Sequence, residues 1–285
     1  MKSDLWVEEK CGDYAARFRV TEVLFSGQSD FQSVDVVQTA GHGKMLLNDG
    51  LVMLTERDEF VYHDMITHVP LFVHPNPKSV LIIGGGDGGT AREVLRHAGV
   101  ERVVMVEIDK MVVDASIEHL PQTASELSNE RLELIIDDGV AFVANSDEKF
   151  DVVLVDSTDP IGPAQPLFGP DFYQNIHRVL NDDGIVVSQG ESPWYHQEMQ
   201  AKLVEIVSGI FDKTFIYNFS NMGYPGGLWS FTFATKGLHP IADFDADRVR
   251  QSGLNFEYYN ADLHKGCFAI PSFQRKPLEA WLSSL

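Results

Sequence analysis

The hydrophobic rhythm of the chain changes near residue 80. Over residues 14–54, short runs mix apolar and polar positions, which predicts β-structure. "FQSVDVVQT" (31–39) combines β-branched and polar residues, and "KMLLNDGLVML" (44–54) sets Asn48-Asp49-Gly50 between two apolar runs, a hairpin signal. Residues 57–72, "RDEFVYHDMITHVPLF", place Phe60, Val61, Met65 and Val69 at near-helical spacing. The proline-punctuated "HPNPKS" (74–79) follows. Beyond it, apolar runs alternate with helical patterns. Strands are expected at 79–84, 102–108, 132–137, 151–156 and 185–189, and helices at 89–98, 110–119, 170–180 and 194–211. Runs this apolar fit strands buried on both faces of a parallel sheet. Two further strands, 213–219 and 228–235, joined by "SNMGYPGG", predict an antiparallel pair at the sheet edge. The expected organisation is a small N-terminal β-strand domain over 1–56 and a doubly wound α/β domain over 57–285. Residues 236–285 show no readable chemistry, although Leu278, Trp281 and Leu282 suggest a docking helix over the sheet edge.

Composition narrows the function classes. With 285 residues, 44% of them hydrophobic, the chain can bury a full core. Lys and Arg number 22 against 42 Asp and Glu, a net charge of −20. That balance disfavours a nucleic-acid partner, which needs cations against phosphate, and favours attraction of cations. Cys11 and Cys267 stand far apart with no disulfide framework, which fits a reducing, cytoplasmic setting. The start, "MKSDLWVEEK", has no apolar signal region, and no run approaches the roughly 18 apolar residues of a membrane span. The ten histidines show no zinc spacing, so no metal is expected.

In a doubly wound sheet, ligands bind beyond the carboxyl ends of the strands. Each of the five central strands ends in acid: Asp87 within Gly84–Gly89, then Glu107 and Asp109, Asp137-Asp138-Gly139, Asp156-Ser157-Thr158-Asp159-Pro160, and Gln189-Gly190-Glu191. Gly84, Gly86 and Gly89 satisfy G-x-G-x-x-G, and Glu107 lies about twenty residues on, where the nucleotide fingerprint asks for a ribose acceptor. The fingerprint alone is weak, because dehydrogenases and methyltransferases share versions of it, and a plain tight turn is the lesser alternative. Asp87 discriminates further. A carboxylate near a pyrophosphate is repelled by about 4 kcal/mol for unit charges at 4 Å and an effective dielectric near 20. The loop therefore suits a nucleoside carrying a positive group, such as a sulfonium nucleoside. Asp138 is either the acceptor for an adenine amino group or simply the N-cap of a helix over "GVAFVAN". "DSTDPIGPAQPLFGPDFY" (156–173) puts two carboxylates before a Gly- and Pro-rich loop that reads as a lid. Acids facing a cationic nucleoside suggest an amine nucleophile. Its ammonium, with a pKa near 10.4, must lose a proton to attack carbon, at a cost of roughly 4–5 kcal/mol at pH 7. A carboxylate can serve as the base.

These residues resemble the spermidine synthase (polyamine aminopropyltransferase) family over essentially the whole chain. The resemblance rests on "LIIGGGDGGTAREVLRH", "VVMVEID", "DDGVAFV", "DVVLVDSTDPIGPAQPLF" and "NDGLVMLTERDEFVYHDMI". It implies a Rossmann-like, methyltransferase-type core behind the β domain, a homodimer, and transfer of an aminopropyl group from decarboxylated S-adenosylmethionine to putrescine. That nucleoside is a co-substrate, and no cofactor is implied. By the same resemblance Asp156 accepts the amine proton, and Asp87 holds the donor's ammonium. Asp159 binds the far end of putrescine, Glu107 takes the ribose, and Asp138-Gly139 the adenine. Gln32, Gly84, Gly86 and Pro163 border the nucleoside. Tyr62, His63, Ser157, Thr158, Gln189 and Tyr224 lie on the amine side. From the residues alone, Tyr62 and Tyr224 read rather as core aromatics, and His63 as a helix-surface histidine, and only the resemblance singles them out.

Three rivals share these motifs: an amine N-methyltransferase, an NAD-dependent oxidoreductase and a non-catalytic polyamine-binding protein. Asp87 disfavours the first two, because the ordinary methyl donor carries a carboxylate on its tail and NAD carries a pyrophosphate. The acceptor is open among putrescine, agmatine, cadaverine and spermidine.

Overall fold

The computed structural model describes residues 5–158 and 162–285, with the side chains of 162 and 163 left aside. Among the described residues the chain forms two sheets joined by one buried helix.

The first sheet is antiparallel, in the order β1 (Leu5–Cys11), β2 (Tyr14–Gln28), β3 (Ser33–Thr39), β4 (Lys44–Asn48) and β5 (Leu51–Thr55). The expected hairpin turns at Asp49 and Gly50, whose φ values of 50° and 79° are those of a type I′ turn. β1 is an addition to the expected β segment. Its buried positions are Glu9 and Cys11, so the strand carries no apolar stripe that would announce it.

α1 (Glu59–Val73) leads into the second domain. All its residues but Phe60 are buried, including His63, Asp64 and His68. A helix buried on every side belongs inside a structure, and α1 packs against α2 (Gly89–Leu95), β9 (Phe150–Asp156), β10 (Leu180–Gln189) and β11 (Lys213–Ser220). Its polar side chains are therefore held among partners instead of facing water.

The second sheet is ordered β11, β12 (Leu228–Thr235), β10, β9, β6 (Ser79–Gly84), β7 (Arg102–Glu107), β8 (Leu132–Ile136). β10, β9, β6, β7 and β8 run parallel, while β12 pairs antiparallel with both β10 and β11, as expected for the edge. α3 (Lys110–His119), α4 (Pro121–Ala124), α5 (Gly139–Asn145), α6 (Pro170–Val179) and α7 (Gln197–Ser208) complete the connections. β10 begins at Leu180, earlier than expected, because an irregularity between Leu180 and Ile185 interrupts its register with β9. α7 starts later than expected, which leaves Trp194 and Tyr195 exposed in the loop before it. The order reverses between β6 and β9, where Gly84 pairs with Asp156. That switch point is where ligands bind in such sheets.

α8 (Ala246–Gln251), α9 (Ala261–Cys267) and α10 (Ser272–Leu278) follow. Leu278 packs with Val204, Ile216 and Ile270, and Trp281 and Leu282 lie alongside, so the C-terminus docks against α7 and the sheet edge. Among the described residues, no helix is long and apolar enough to cross a membrane.

Candidate active site

A cavity of about 200 Å³ opens at the switch point, between the first sheet and the carboxyl ends of β6, β7 and β9. Its lining brings together Gln32, Tyr62, His63, Gly84, Gly86, Asp87, Glu107, Asp138, Gly139, Asp156, Ser157, Thr158, Gln189 and Tyr224. Asp159 lies outside the described residues. The backbone of Pro163 falls in a 3-10 turn over Gly162–Phe168, and its side chain is outside the description.

Asp156 ends β9. Tyr62 donates its hydroxyl to Oδ1 at 2.8 Å, and Thr90 donates to Oδ2 at 2.6 Å. Burial first, and then the neighbouring Asp87 charge, raise its pKa above the ordinary carboxylate value, against lowering by His63, Thr90 and Tyr62. This is a base whose affinity for a proton is increased by its surroundings.

The glycine run brings protein close to protein. Gly84 has φ +84°, and a Cβ there would lie 2.1 Å from the carbonyl oxygen of Asp156. A Cβ at Gly89 would lie 2.2 Å from the His63 ring. These glycines let β9 and α1 approach the loop, and the wall of the cavity is built on that approach.

Asp87 caps the start of α2, its Oδ1 accepting the Gly89 N–H at 2.8 Å. The same oxygen is 3.3 Å from Nε2 of His63, whose Nδ1 lies 2.5 Å from Glu59. Arg92 in turn donates to both oxygens of Glu59, at 2.9 and 3.0 Å. Burial opposes the charge on His63, but Asp87 and Glu59 lift its pKa to about 10, so the ring is an imidazolium near neutral pH. His63 and Asp87 both line the cavity, so the charge of the ring sits there beside that of the carboxylate.

Glu107 accepts the N–H of Gly86 at 3.1 Å and of Asp109 at 2.8 Å, while burial pushes its pKa up to about 7. Asp138 is the N-cap of α5, accepting the Val140 N–H at 2.8 Å, and it also lines the cavity. Gln32 reaches in from the first sheet, with its amide donating to Asp109 at 3.0 Å. Gln189 is engaged by Glu191 and by the Trp229 indole, which donates at 3.1 Å. Tyr224 donates to the Met53 carbonyl at 2.9 Å, and Asp58 ties its loop to α1 by accepting the Gly223 N–H. Ser157 Oγ and Asn48 Oδ1, both on residues of the lining, are buried without a hydrogen-bond partner among the described residues. Orphaned polar atoms beside a cavity fit a polar ligand.

Two of the strand-end acids point elsewhere. Asp109 caps α3 and binds Ser29 and Gln32, fastening the first sheet to the core. Glu191 turns away toward His196. The sequence reading also missed Thr90, Glu59 and Glu9. Glu9 lines the cavity from β1, and burial raises its pKa to about 7 against the Val52 N–H it accepts. Burial first, and then the charges of Asp156, Asp58, Asp87 and Glu9, hold the Tyr224 hydroxyl well above its ordinary pKa.

Comparisons with known proteins agree on one family. A family model described as the spermine/spermidine synthase domain matches residues 59–245, and one described as the spermidine synthase tetramerisation domain matches 5–56. The chain is 47% identical over 279 residues to a polyamine aminopropyltransferase of Alkaliphilus metalliredigens, covering 97% of this chain and 98% of that protein. It is 44% identical to one from Clostridium botulinum, over 95% of this chain and 96% of that protein. Among solved structures, a spermidine synthase in complex with the transition state analogue AdoDATO superposes with a TM-score of 0.95 at 40% identity, covering 97% of this chain and 95% of that one. The spermidine synthase of Thermotoga maritima gives a TM-score of 0.92 at 39% identity, covering 96% and 94%.

Proposed function

This chain belongs to the spermine/spermidine synthase family of polyamine aminopropyltransferases, and we propose that it moves the aminopropyl group of decarboxylated S-adenosylmethionine to putrescine, with Asp156 as proton acceptor. The products are spermidine and 5′-methylthioadenosine. The observation that carries this reading is the half-buried Asp156 beside Asp87, in a cavity that also holds Glu9 and Glu107.

The donor's sulfonium already activates the neighbouring methylene carbon. Glu107 accepts from the ribose hydroxyls, Asp138 and Gly139 face the adenine, and Gln32 and Pro163 border the nucleoside. Asp87 holds the donor's ammonium. Tyr62 and Thr90 fix the orientation of the Asp156 carboxylate, which takes a proton from the attacking amine. The C–N bond forms as the C–S bond breaks, and a neutral thioether leaves. The protein supplies alignment and deprotonation. Ser157, Thr158, Gln189 and Tyr224 line the amine's path. The resemblance gives the far ammonium to Asp159. Glu9 is the described carboxylate available to that end.

Titration calorimetry tests the charge logic of Asp87. The decarboxylated donor is expected to bind at least tenfold more tightly than S-adenosylmethionine, and Asp87→Asn to narrow that gap. Equal binding by the wild type would favour the methyltransferase reading.

Glu9 makes a second prediction. With its pKa near 7, it is charged above that pH and protonated below it. A protonated Glu9 loses its attraction for an ammonium, so the amine KM is expected to rise as pH falls from 8 to 6. Glu9→Gln should raise KM about tenfold at pH 8, the scale of a lost charge-assisted hydrogen bond, and flatten this limb. Parallel KM profiles for the two proteins would remove Glu9 from the amine's surroundings.

We further propose that the chain acts in the cytoplasm and self-associates through its N-terminal sheet. Support comes from Cys11 and Cys267, which form no disulfide among the described residues, and from exposed Leu5, Trp6, Tyr14 and Val23 on β1 and β2. Light scattering distinguishes the homodimer implied by the family resemblance from the tetramer in the matched model's description.

A further inference from the structure

Both cysteines are buried, but beside different partners. Cys267 lies in the core, its Sγ donating to the His264 carbonyl at 3.1 Å, and burial pushes its thiol pKa far up. Cys11, at the end of β1, has its Sγ 3.7 Å from Nε2 of His196. Nδ1 of the same ring is 2.8 Å from Oε2 of Glu191. At that distance the two groups form an ion pair when the ring is protonated. Glu191 is 1% exposed, yet its Oε2 accepts no hydrogen bond among the described residues. A buried carboxylate oxygen without a donor is costly, and this one is directed at an imidazole that faces a thiol. The backbone adds to the cost, because Glu191 has φ 67°, a strained value for a residue with a side chain. Gln189 Oε1 accepts its N–H at 2.6 Å, and Ser230 Oγ donates to its carbonyl at 2.9 Å, which together hold that conformation.

We propose that Cys11, His196 and Glu191 form a nucleophile, base and carboxylate relay, and that Cys11 is a modification site for small electrophiles, peroxides in particular. The Glu191 charge favours the tautomer with hydrogen on Nδ1, which leaves Nε2 to take the thiol proton. The thiolate then attacks one peroxide oxygen. An S–O bond forms, the O–O bond breaks, and the departing oxygen recovers the proton from His196. The balance is Cys–SH plus ROOH giving Cys–SOH plus ROH, with sulfur losing two electrons and the peroxide gaining them. Two equivalents of an external thiol reverse the change, releasing water and a disulfide. Cys11 is itself only 9% exposed, and the neighbouring His196 side chain, 27% exposed, is the part of the relay open to the surface.

The site is wired to the cavity. Glu191 Oε1 accepts from Gln189 Nε2 at 2.8 Å, and Gln189 lines the cavity with Trp229. Glu9, two residues before Cys11 on the same face of β1, lines it too. Oxidation of Cys11 therefore disturbs the amine end. That consequence rests on the function proposed above, whereas the adduct itself does not.

The test treats the full chain with hydrogen peroxide, traps sulfenic acid with dimedone, and locates adducts by peptide mass spectrometry. The expected result is one adduct, on Cys11, with Cys267 labelled only after unfolding. His196→Gln should slow labelling at least tenfold, and Glu191→Gln provides the same comparison should His196→Gln fold poorly. In the wild type, oxidation should raise the amine KM at least threefold with the donor KM unchanged. Cys11→Ala should keep its turnover and lose peroxide sensitivity. An unlabelled Cys11 in the folded protein, or an unchanged labelling rate in both relay variants, would overturn the site. An adduct with unchanged amine KM would overturn the coupling. Because the adduct is read by mass, it is scored whether or not the chain turns over these substrates.

Discussion

Replacing Asp156 by asparagine is expected to lower kcat by about 10²–10⁴ at neutral pH, the range of a lost general base. Asparagine keeps the shape, and its amide oxygen can still accept one of the hydrogen bonds from Tyr62 and Thr90. What it lacks is a site for the proton. An alkyl ammonium holds its proton by roughly 4–5 kcal/mol at pH 7, and the raised pKa of Asp156 narrows the gap that transfer must cross. Burial and Asp87 both penalise the charged form of Asp156. A neutral isostere should therefore fold at least as well as the wild type. The expected pattern is an unchanged thermal melt with a deep loss of kcat, and wild-type turnover in a folded Asp156→Asn protein would remove the residue from this role.

The second large effect is expected from Gly84→Ala. The new Cβ would meet the Asp156 carbonyl oxygen at 2.1 Å, where the strand backbones have little room to separate. Gly85 N–H also donates to that carbonyl at 2.9 Å, so displacing it breaks a bond at the end of β9. A positive φ of 84° adds to the strain. Overpacking costs about 1–3 kcal/mol, and the left-handed conformation adds about 1–2 kcal/mol. The variant should therefore lose about 2–5 kcal/mol in denaturant unfolding. Because the clash falls on Asp156 itself, kcat should drop at least tenfold in the protein that remains folded. Gly99→Ala, which meets only Pro77 O at 4.0 Å, is the matched control with little expected change. Equal stability and turnover for Gly84→Ala and the wild type would contradict the close approach of β6 and β9.

The sequence patterns that proved readable are those tied to a single local cause. Asp49-Gly50 demanded a turn with positive φ, and four of the five apolar runs form strands buried on both faces, while the fifth, β8, lies at the sheet edge with no buried position. Their carboxyl ends then located the cavity. β1 escaped because its buried face carries Glu9 and Cys11, where a strand pattern calls for apolar residues. Thr90 escaped because its role depends on a contact to Asp156, 66 residues away, that no periodicity signals, and Glu59 because its i,i+4 neighbour His63 reads as a helix-surface histidine. Asp109 and Glu191 show the opposite error. Both stand at strand ends as a ligand-binding acid should, yet one fastens two domains and the other faces a histidine. Asp87 changed most in meaning. It reads in the sequence as a bare charge inside a glycine loop. In the fold it caps α2 and faces an imidazolium, so its selectivity for a cationic donor comes from a shared, buried network.

The most direct measurement incubates the purified chain with decarboxylated S-adenosylmethionine and a panel of amines, with products read by mass spectrometry. The expected result is one equivalent of 5′-methylthioadenosine for each aminopropylated amine, with putrescine converted fastest and no methylated product from S-adenosylmethionine. Methyl transfer from the ordinary donor, or binding of both substrates with no methylthioadenosine released, would contradict the account.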